Sequence, residues 1–258
     1  MFIVNFDPVA FQIFSFEIRW YSLSYIFGII IGWMYCKKVL IHDQKIFKLF
    51  DDLILYLILG ILIGGRLGYV FFYNPLYYSN NLVEIFKLWE GGMSFHGGLI
   101  GVIIATYIFS SKNKINSFLF LDLIAMTAPI GIFLGRISNF INSELYGRKT
   151  DFLFGMKFEK VDNIVRHPSQ LYEAFFEGVI LFVLLNFVFK KYLYKKTGVL
   201  SSLFLIFYSL FRFMVEYTRE PDEHLGIIFL NLTLGQVISV ITLIIGIGIF
   251  LKVNEKKE

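Results

Sequence analysis

The sequence is poor in cysteine and in charged residues. Its 258 residues include one cysteine, Cys36, which excludes an internal disulfide and any metal cluster held by several cysteines. Charged residues make up only 17% of the chain, whereas 57% of the residues are hydrophobic. This balance is too apolar for one soluble core, and it predicts an all-α, multi-spanning membrane protein.

Signals of several other protein classes are also missing. The first residues, MFIVNFDPVAFQIF, contain no basic region and no small-residue cleavage site, so we expect no removable signal peptide. The formal net charge is +4 and the lysines are confined to short loops, which argues against a nucleic-acid partner. No zinc spacing, P-loop or dinucleotide fingerprint occurs, so we expect neither a metal nor a cofactor.

Seven apolar segments are long enough to cross a bilayer, whose core is about 30 Å thick and needs about 20 residues per helix. The predicted spans are 20–36, 53–73, 95–110, 118–141, 172–189, 199–216 and 229–251. Together they predict one integral membrane domain over residues 1–258, with an N-terminal segment 1–19, an external loop 142–171 and a tail 252–258. Glycines four residues apart predict close helix contacts, at Gly28/Gly32, Gly60/Gly64/Gly68 and Gly97/Gly101.

The loop charges predict the orientation, because lysine and arginine are retained on the cytoplasmic side. Segments 37–52, 111–117, 190–198 and the tail hold 13 basic residues, and the opposite face holds 8, or 3 without the 142–171 loop. We therefore expect the N-terminus outside and the C-terminus in the cytoplasm. Most polar residues of the spans then lie in the outer half of the bilayer: Arg66, Arg136, Arg212, Tyr21, His96, Glu173, Glu177, Asn231 and Gln236. Asp122, at the inner end of span four, is the exception.

The three arginines inside the spans need partners or solvent, because a charge at mid-membrane costs at least about 2.5–3.5 kcal/mol. One interpretation is interhelical ion pairing with the glutamates Glu173, Glu177 and Glu216. A second interpretation is an anionic phospholipid site, because guanidinium groups suit bidentate contact with a phosphate diester. Polar residues continue at helical spacing in both places, as Arg136, Asn139, Asn142, Glu144 and Gly147 and as Tyr208, Arg212, Glu216 and Arg219.

His96 lies between glycine pairs in GGMSFHGGLIG. A lone histidine in a membrane helix is more often a helix-to-helix hydrogen-bonding residue than a catalyst. Arginines at the same predicted depth favour chemistry instead, since a neutral imidazole can accept a proton near neutral pH. The G-x-S-G pattern of intramembrane serine proteases is absent, and Asp51 and Asp52 are an isolated pair without the repeated aspartates of metal-dependent lipid phosphotransferases.

At these residues the sequence resembles the phosphatidylglycerol prolipoprotein diacylglyceryl transferases of bacterial plasma membranes. The similarity covers nearly the whole chain, in the segments FDPVAF, RWYSLSY, GGRLGYVFFYN, WEGGMSFHGGLIG, GRISNFINSELYGR, RHPSQLYEAFFEG and FRFMVEYTREPDEHLG. The resemblance implies seven spans, an outward N-terminus and a site toward the outer leaflet. Its implied activity is transfer of a diacylglyceryl group from phosphatidylglycerol to the lipobox cysteine of a prolipoprotein, with glycerol 1-phosphate released.

Matched motif by motif, the resemblance places the important positions on Tyr21, His96, Arg136, Asn139, Asn142, Glu144, Gly147, Tyr208, Arg212, Glu216 and Arg219. Ser138 and Ser143 stand where the family usually has glycine, which puts close backbone packing there in doubt. We expect the arginines to clamp the phosphate and the asparagines to orient the headgroup, with Glu144 and Glu216 positioning the arginines. His96 would take or relay the thiol proton, although the arginines could also lower the thiol pKa without a dedicated base.

Two other functions use the same arginines. A phospholipid transporter would bind the headgroup during passage, but the sequence has no internal repeat and its polar layer does not reach the cytoplasmic face. A membrane protein that only binds lipid stays open on composition alone.

Overall fold

The computed structural model describes residues 2–221, 227–229 and 232–255. Helices make up most of this part of the chain, as the composition predicts. Its main helices are α1 (Trp20–Tyr35), α2 (Gln44–Phe72), α3 (Pro75–Asn80), α4 (Phe95–Asn113), α5 (Ser117–Asn142), α6 (Ser169–Glu173), α7 (Leu181–Tyr192), α8 (Val199–Val215) and α9 (Leu234–Glu255). Each of the seven predicted spans coincides with one or more of them. Asn231 and the end of the motif at 211–226 lie outside the described residues.

Two helices contain a stretch of π-helix. One continues α1 through Cys36–Leu40, and the other, Ala174–Ile180, joins α6 to α7. Among the described residues, four helical stretches are long and apolar enough to cross a membrane, namely Trp20–Leu40, Ser117–Asn142, Ser169–Phe189 and Leu234–Glu255, and Val199–Val215 is apolar but shorter. These stretches support the predicted membrane protein.

The start of α2 corrects the predicted loop at 37–52. The Asp43 carboxylate accepts hydrogen bonds from the N–H groups of Lys45 (2.7 Å) and Ile46 (3.0 Å), so it caps a helix that begins at Gln44. Lys45 and Lys48 therefore lie on the first turns of α2 rather than in a loop. The seventh predicted span also starts late, because Phe229, Leu232 and Thr233 belong to short strands and the helix begins at Leu234.

Short strands occur in the N-terminal segment, in the 142–171 connection and around the start of the seventh predicted span. They are β1 (Phe2–Val4), β2 (Val9–Ile13), β3 (Phe16–Arg19), β4 (Met156–Phe158), β5 (Val165–Arg166), β6 (Ile227–Phe229) and β7 (Leu232–Thr233). β1 pairs in parallel with β4, which pairs antiparallel with β5, while β2–β3 and β6–β7 are hairpins. Val4, Phe140 and Phe158 form a small core beside the three-stranded sheet. The 142–171 connection is therefore a folded element attached to the end of α5.

The chain divides into two compact units, residues 37–121 and residues 1–36 with 122–258. In the 37–121 unit, α2 and α4 approach so closely that a Cβ on Gly64 would lie 2.4 Å from the Gly97 carbonyl oxygen. A Cβ on Gly60 would lie 2.6 Å from the Gly101 carbonyl oxygen. In the other unit, Gly28 faces the Gly131 backbone of α5. The predicted close contacts at the spaced glycines are confirmed.

A carboxylate from α5 caps α8. Asp122 is fully buried and accepts hydrogen bonds from the N–H groups of Gly198 and Ser201, both at 2.7 Å, and from the Ser201 hydroxyl. The first N–H groups of a helix have no partner within the helix, so Asp122 satisfies two of them and favours the positive end of the helix dipole. This contact determines where α8 begins, and thus which of its side chains face α5.

Candidate active site

Arg136, near the end of α5, forms ion pairs with two buried glutamates. Its Nε lies 2.9 Å from Glu173 Oε2 on α6, and its Nη2 lies 3.5 Å from Glu177 Oε2 in the π-helical stretch. Both carboxylates are fully buried, whereas 18% of the Arg136 side chain is exposed. The glutamates are therefore the more deeply buried partners, and part of the Arg136 side chain stays exposed.

Arg212, on α8, shares Glu173 with Arg136. Its Nη1 lies 2.6 Å from Glu173 Oε1, and its Nη2 lies 2.6 Å from Glu216 Oε2, one turn further along. Arg219 Nη1 adds a longer contact of 3.6 Å to Glu173 Oε1. One carboxylate thus holds three guanidinium groups together, which agrees with the ion-pair interpretation for Arg136 and Arg212.

We call Arg136, Arg212, Arg219, Glu173, Glu177 and Glu216 the arginine–glutamate cluster. Its three formal positive charges balance three formal negative charges, which suits a largely dry site. The arginine side chains are 10–18% exposed, while Glu173 and Glu177 are 0% exposed. The cluster therefore gathers three arginine side chains, each slightly exposed, around a buried acidic layer, and guanidinium groups collected in this way suit an anion such as a phosphate.

Glu177 differs from the other glutamates of the cluster. Both of its carboxylate oxygens are buried and neither accepts a hydrogen bond in the part of the chain that the structure describes. Its nearest cation, Arg136, is 3.5 Å away and makes the closer contact with Glu173. Tyr208 of α8 lies within electrostatic range of Arg136, Arg212 and Glu177, as its place in the polar stripe predicts.

The end of α5 turns Glu144 back onto two asparagines. Ser143 has a φ of 59°, its N–H donates to the Phe140 carbonyl, and the Glu144 N–H donates to the Asn139 carbonyl at 2.9 Å. This is a Schellman motif, which normally places glycine at the Ser143 position. The Glu144 carboxylate then accepts from Asn139 Nδ2 at 3.1 Å and Asn142 Nδ2 at 3.2 Å. Glu144 therefore holds the asparagines, and the expectation that it positions an arginine is wrong.

Gly147 is enclosed by backbone. Its N–H donates to the His167 carbonyl at 3.0 Å, and it forms an isolated bridge with Arg219. A Cβ there would lie 2.4 Å from the His167 carbonyl oxygen and 2.6 Å from that of Thr218. Gly147 therefore fixes the 142–171 connection to the segment that carries Arg219.

Arg166 fastens the same connection from outside the helices. It donates to Asp162 at 2.7 Å, to Glu220 at 3.0 Å and to the Gly147 carbonyl at 3.2 Å. Its guanidinium holds the pKa of the Asp162 carboxyl below the ordinary range.

Tyr21 lies on the first turn of α1 and is partly exposed. Its hydroxyl is 3.3 Å from that of Tyr25, and its surroundings include the charges of Glu144 and Arg136. The structure therefore brings together ten of the eleven predicted positions within one unit: Tyr21, Arg136, Asn139, Asn142, Glu144, Gly147, Tyr208, Arg212, Glu216 and Arg219.

His96 belongs to the 37–121 unit and is exposed on the first turn of α4. Ser94 caps this helix by accepting the Gly97 N–H at 3.2 Å, and the imidazole ring packs against Phe95. Exposure keeps the ring nitrogens available, as a proton acceptor requires.

Arg66, in the same unit, has backbone partners. Its guanidinium donates to the carbonyls of Glu84, Ile85 (2.8 Å), Gly91 (2.6 Å) and Gly92 (3.2 Å). These bonds tie α2 to the connection before α4. Arg66 is therefore a structural residue of its unit, and ion pairing is not needed to explain it.

Sequence reasoning missed a support for Glu216 at the start of α9. The Thr233 hydroxyl lies 2.8 Å from Glu216 Oε1, and a Cβ on Gly235 would lie 2.8 Å from the same oxygen. Thr233 and Gln236 form a capping box, in which each side chain accepts the other's N–H. The T-L-G-Q pattern carries this signal in the sequence, although it does not name Glu216 as the partner.

An apolar recess of about 570 Å³ lies beside the turn of α5 that follows Arg136. Its walls include three residues of α5, two of the N-terminal segment and the first residue of α1: Ile137, Phe140, Ile141, Phe6, Val9 and Trp20.

Comparison with known proteins identifies one family. The model of the prolipoprotein diacylglyceryl transferase family matches residues 8–252. A Rickettsia bellii protein is 51% identical over 251 residues, which cover 96% of this chain and 95% of that protein. Proteins of Rickettsia typhi (51% identical, 99% of this chain and 100% of the relative) and Rickettsia rickettsii (50%, 98% and 98%) are similar too. All three are named phosphatidylglycerol–prolipoprotein diacylglyceryl transferase.

Proposed function

Because the chain belongs to the prolipoprotein diacylglyceryl transferase family, we propose that its arginine–glutamate cluster binds the phosphate of phosphatidylglycerol. The protein is a transferase that moves a diacylglyceryl group to prolipoproteins, the first step of lipoprotein maturation. The observation that carries the proposed site is the single buried Glu173 carboxylate shared by two arginine side chains that are themselves only partly buried by the protein.

The reaction joins a cysteine thiol to lipid. The thiol sulfur of the lipobox cysteine attacks the terminal glycerol carbon of the diacylglyceryl unit, a carbon–sulfur bond forms, and the bond from that carbon to the phosphate oxygen breaks. Glycerol 1-phosphate leaves with the bonding electron pair. The departing phosphate gains negative charge in a medium of low dielectric, and we assign its stabilisation to Arg136 and Arg212.

The remaining predicted residues have supporting roles. Glu173 and Glu216 hold the arginines, and Asn139 and Asn142, fastened by Glu144, orient the headgroup. Tyr21 and Tyr208 hydrogen-bond beside them, and Gly147 keeps Arg219 in place. His96, exposed on α4, is the proposed acceptor of the thiol proton. The apolar recess beside Arg136 suits an acyl chain of the same lipid, because it follows the phosphate-binding turn along α5.

The proposed topology has seven spans in a bacterial plasma membrane, formed by α1, α2, α4, α5, α6 with α7, α8 and α9. The N-terminus is outside, the C-terminus is cytoplasmic, and the cluster faces the outer leaflet. The loop charges support the orientation, and the apolar lengths of α1, α5, α6 with α7, and α9 support four of the spans.

One assay tests the proposed site. Purified protein is incubated with phosphatidylglycerol and a lipobox peptide, and the peptide is analysed by mass spectrometry for a diacylglyceryl thioether. Wild type is expected to give the adduct, and Arg136→Gln and Arg212→Gln are expected to lose it. Folded variants that kept the wild-type rate would overturn the phosphate-binding role, and a folded wild type without adduct would overturn the reaction.

Topology is tested by labelling with a membrane-impermeant maleimide. In a Cys36→Ser background, Leu153→Cys in the proposed external connection should react from outside intact cells lacking an outer membrane. Lys195→Cys, in the proposed cytoplasmic loop, should react only after the cells are opened. The reverse pattern would contradict the proposed orientation.

A further inference from the structure

We propose that the hairpin of β2 and β3 is a membrane-surface anchor, with its apolar face and its tip lying in the interfacial region of the lipid. The hairpin consists of Val9–Ile13 and Phe16–Arg19. It rests on the membrane placement given above, but on none of the catalytic assignments.

The register of the hairpin makes it amphipathic. Phe11 pairs with Ile18, and Ile13 pairs with Phe16, so these four side chains share one face. The opposite face carries the polar pair of Gln12 and Glu17. Three of the four apolar side chains are not covered by the protein, because Phe16 remains 73% exposed and Phe11 and Ile13 about half exposed, while Ile18, nearer the base, is partly buried.

The tip of the hairpin carries an aromatic side chain, Phe14, that projects away from the protein. Phe14 has a φ of 54° and is 98% exposed. A bulky residue rarely occupies this left-handed region, where glycine or asparagine is usual. A phenylalanine there gains no packing within the chain, whereas aromatic rings are favoured at the membrane interface. The tip is thus a second observation that points to lipid.

The attachment of the hairpin keeps it at the membrane surface. β3 ends at Arg19 and α1 begins at Trp20, with no linker between them. The Trp20 N–H donates to the Pro8 carbonyl at 3.1 Å, which fastens the base of the other strand. The helical stretch Trp20–Leu40 has 21 residues, or about 31 Å at 1.5 Å per residue, which matches the hydrocarbon thickness. The base of the hairpin therefore stands where the hydrocarbon ends.

The polar edge fits the same placement. Arg19 and Glu17 project from the side opposite the apolar pairs, with 3.5 Å between Nη2 and Oε2. Arginine at this level is attracted to anionic lipid headgroups. A second copy of the chain or a protein partner could also cover an apolar face, but only a lipid surface adjoins the hairpin through the start of α1.

Spin-label depth measurements test the anchor. Phe14→Cys is labelled in protein reconstituted into phosphatidylglycerol-containing vesicles, and its collisions with oxygen and with a water-soluble nickel chelate are compared. The natural Cys36 is fully buried and should not react with the spin label. Wild-type protein treated with the same label therefore serves as the blank. Gln12→Cys, on the polar face, is the matched control.

We expect the label at position 14 to collide more with oxygen than with the nickel chelate, and the label at position 12 to show the reverse. Equal exposure of both labels to the nickel chelate would overturn the proposal, because the hairpin would stand in water. Shielding of position 14 from both agents would also overturn it, as would spin–spin broadening between copies, because protein would then cover the face.

A second variant separates anchoring from folding. Phe14→Asn suits the left-handed conformation and removes the ring, so the thermal unfolding midpoint should not fall. A label at Phe16→Cys should become shallower when Phe14→Asn is added. An unchanged depth would overturn the role of the tip. Neither measurement depends on transferase activity, so failure of the anchor is distinguishable from failure of the catalytic site.

Discussion

Replacing Glu173 by glutamine tests whether one carboxylate holds the site together. Glutamine has nearly the same shape, but it loses the charge that faces Arg136, Arg212 and Arg219. Its amide can accept a hydrogen bond through one atom only, and its other atom would point a donor at a guanidinium. The buried positive charges would then exceed the negative charges by one.

The structure sets the size of the effect. Glu173 is completely buried, and removing one partner of a buried ion pair costs about 3–5 kcal/mol. Since about 1.4 kcal/mol corresponds to a factor of ten, the folding equilibrium should weaken by about 150- to 5,000-fold. At about 2–4 °C per kcal/mol for a chain of this size, the unfolding midpoint should fall by about 6–20 °C.

The assay combines thermal unfolding in detergent with the peptide transfer reaction below the variant's unfolding midpoint. The transfer rate should fall as well, because Arg136 and Arg212 lose their common support. Glu159→Gln is the matched control, because Glu159 is exposed and its change should alter the stability by less than about 0.5 kcal/mol. A Glu173→Gln protein with the wild-type midpoint and rate would refute the central role of this carboxylate.

Three smaller changes probe the surroundings of the site. Gly147→Ala should lower both stability and transfer rate, because its methyl group would meet backbone carbonyls, whereas Gly135→Ala has no atom within 4 Å of the new Cβ and should behave like wild type in the same two assays. Gly235→Ala should reduce the transfer rate and change the unfolding midpoint little, because the methyl group would press on the Glu216 carboxylate. A lower unfolding midpoint with an unchanged transfer rate would contradict this expectation. His96→Gln should slow transfer and change its pH profile, and a near-wild-type rate with the same profile would show that His96 is not the proton acceptor.

The helices could be predicted from the sequence because membrane-crossing helices need long apolar stretches. The glycine contacts followed for a similar reason, since glycine four residues apart lets two helices approach closely. The strands could not be predicted. They are only two to five residues long. Phe2 pairs with Met156, more than 150 residues away along the chain, and a local sequence pattern does not indicate such a pairing.

The candidate site was predicted in outline. Loop charges placed Arg136 and Arg212 at one depth, and the structure joins them through Glu173. The partners of Glu144 could not be predicted, because they depend on Ser143 adopting a left-handed conformation that serine seldom adopts. The role of Arg66 stayed open for a related reason, since its partners are backbone carbonyls and the residue types of a sequence do not indicate such contacts.

The cap that Asp122 places on α8 also bears on how the chain is made. The ribosome synthesises α5 before α8. The Asp122 carboxylate therefore lacks its three hydrogen-bond donors until residues 198–201 have been synthesised. During that interval the group must stay in contact with water or carry a proton, because an unpaired charge in hydrocarbon is costly. The arrival of α8 ends this exposure and brings Arg212 to the site in the same step. Capping of α8 by Asp122 and the joining of Arg136 to Arg212 through Glu173 therefore belong to the same stage of assembly.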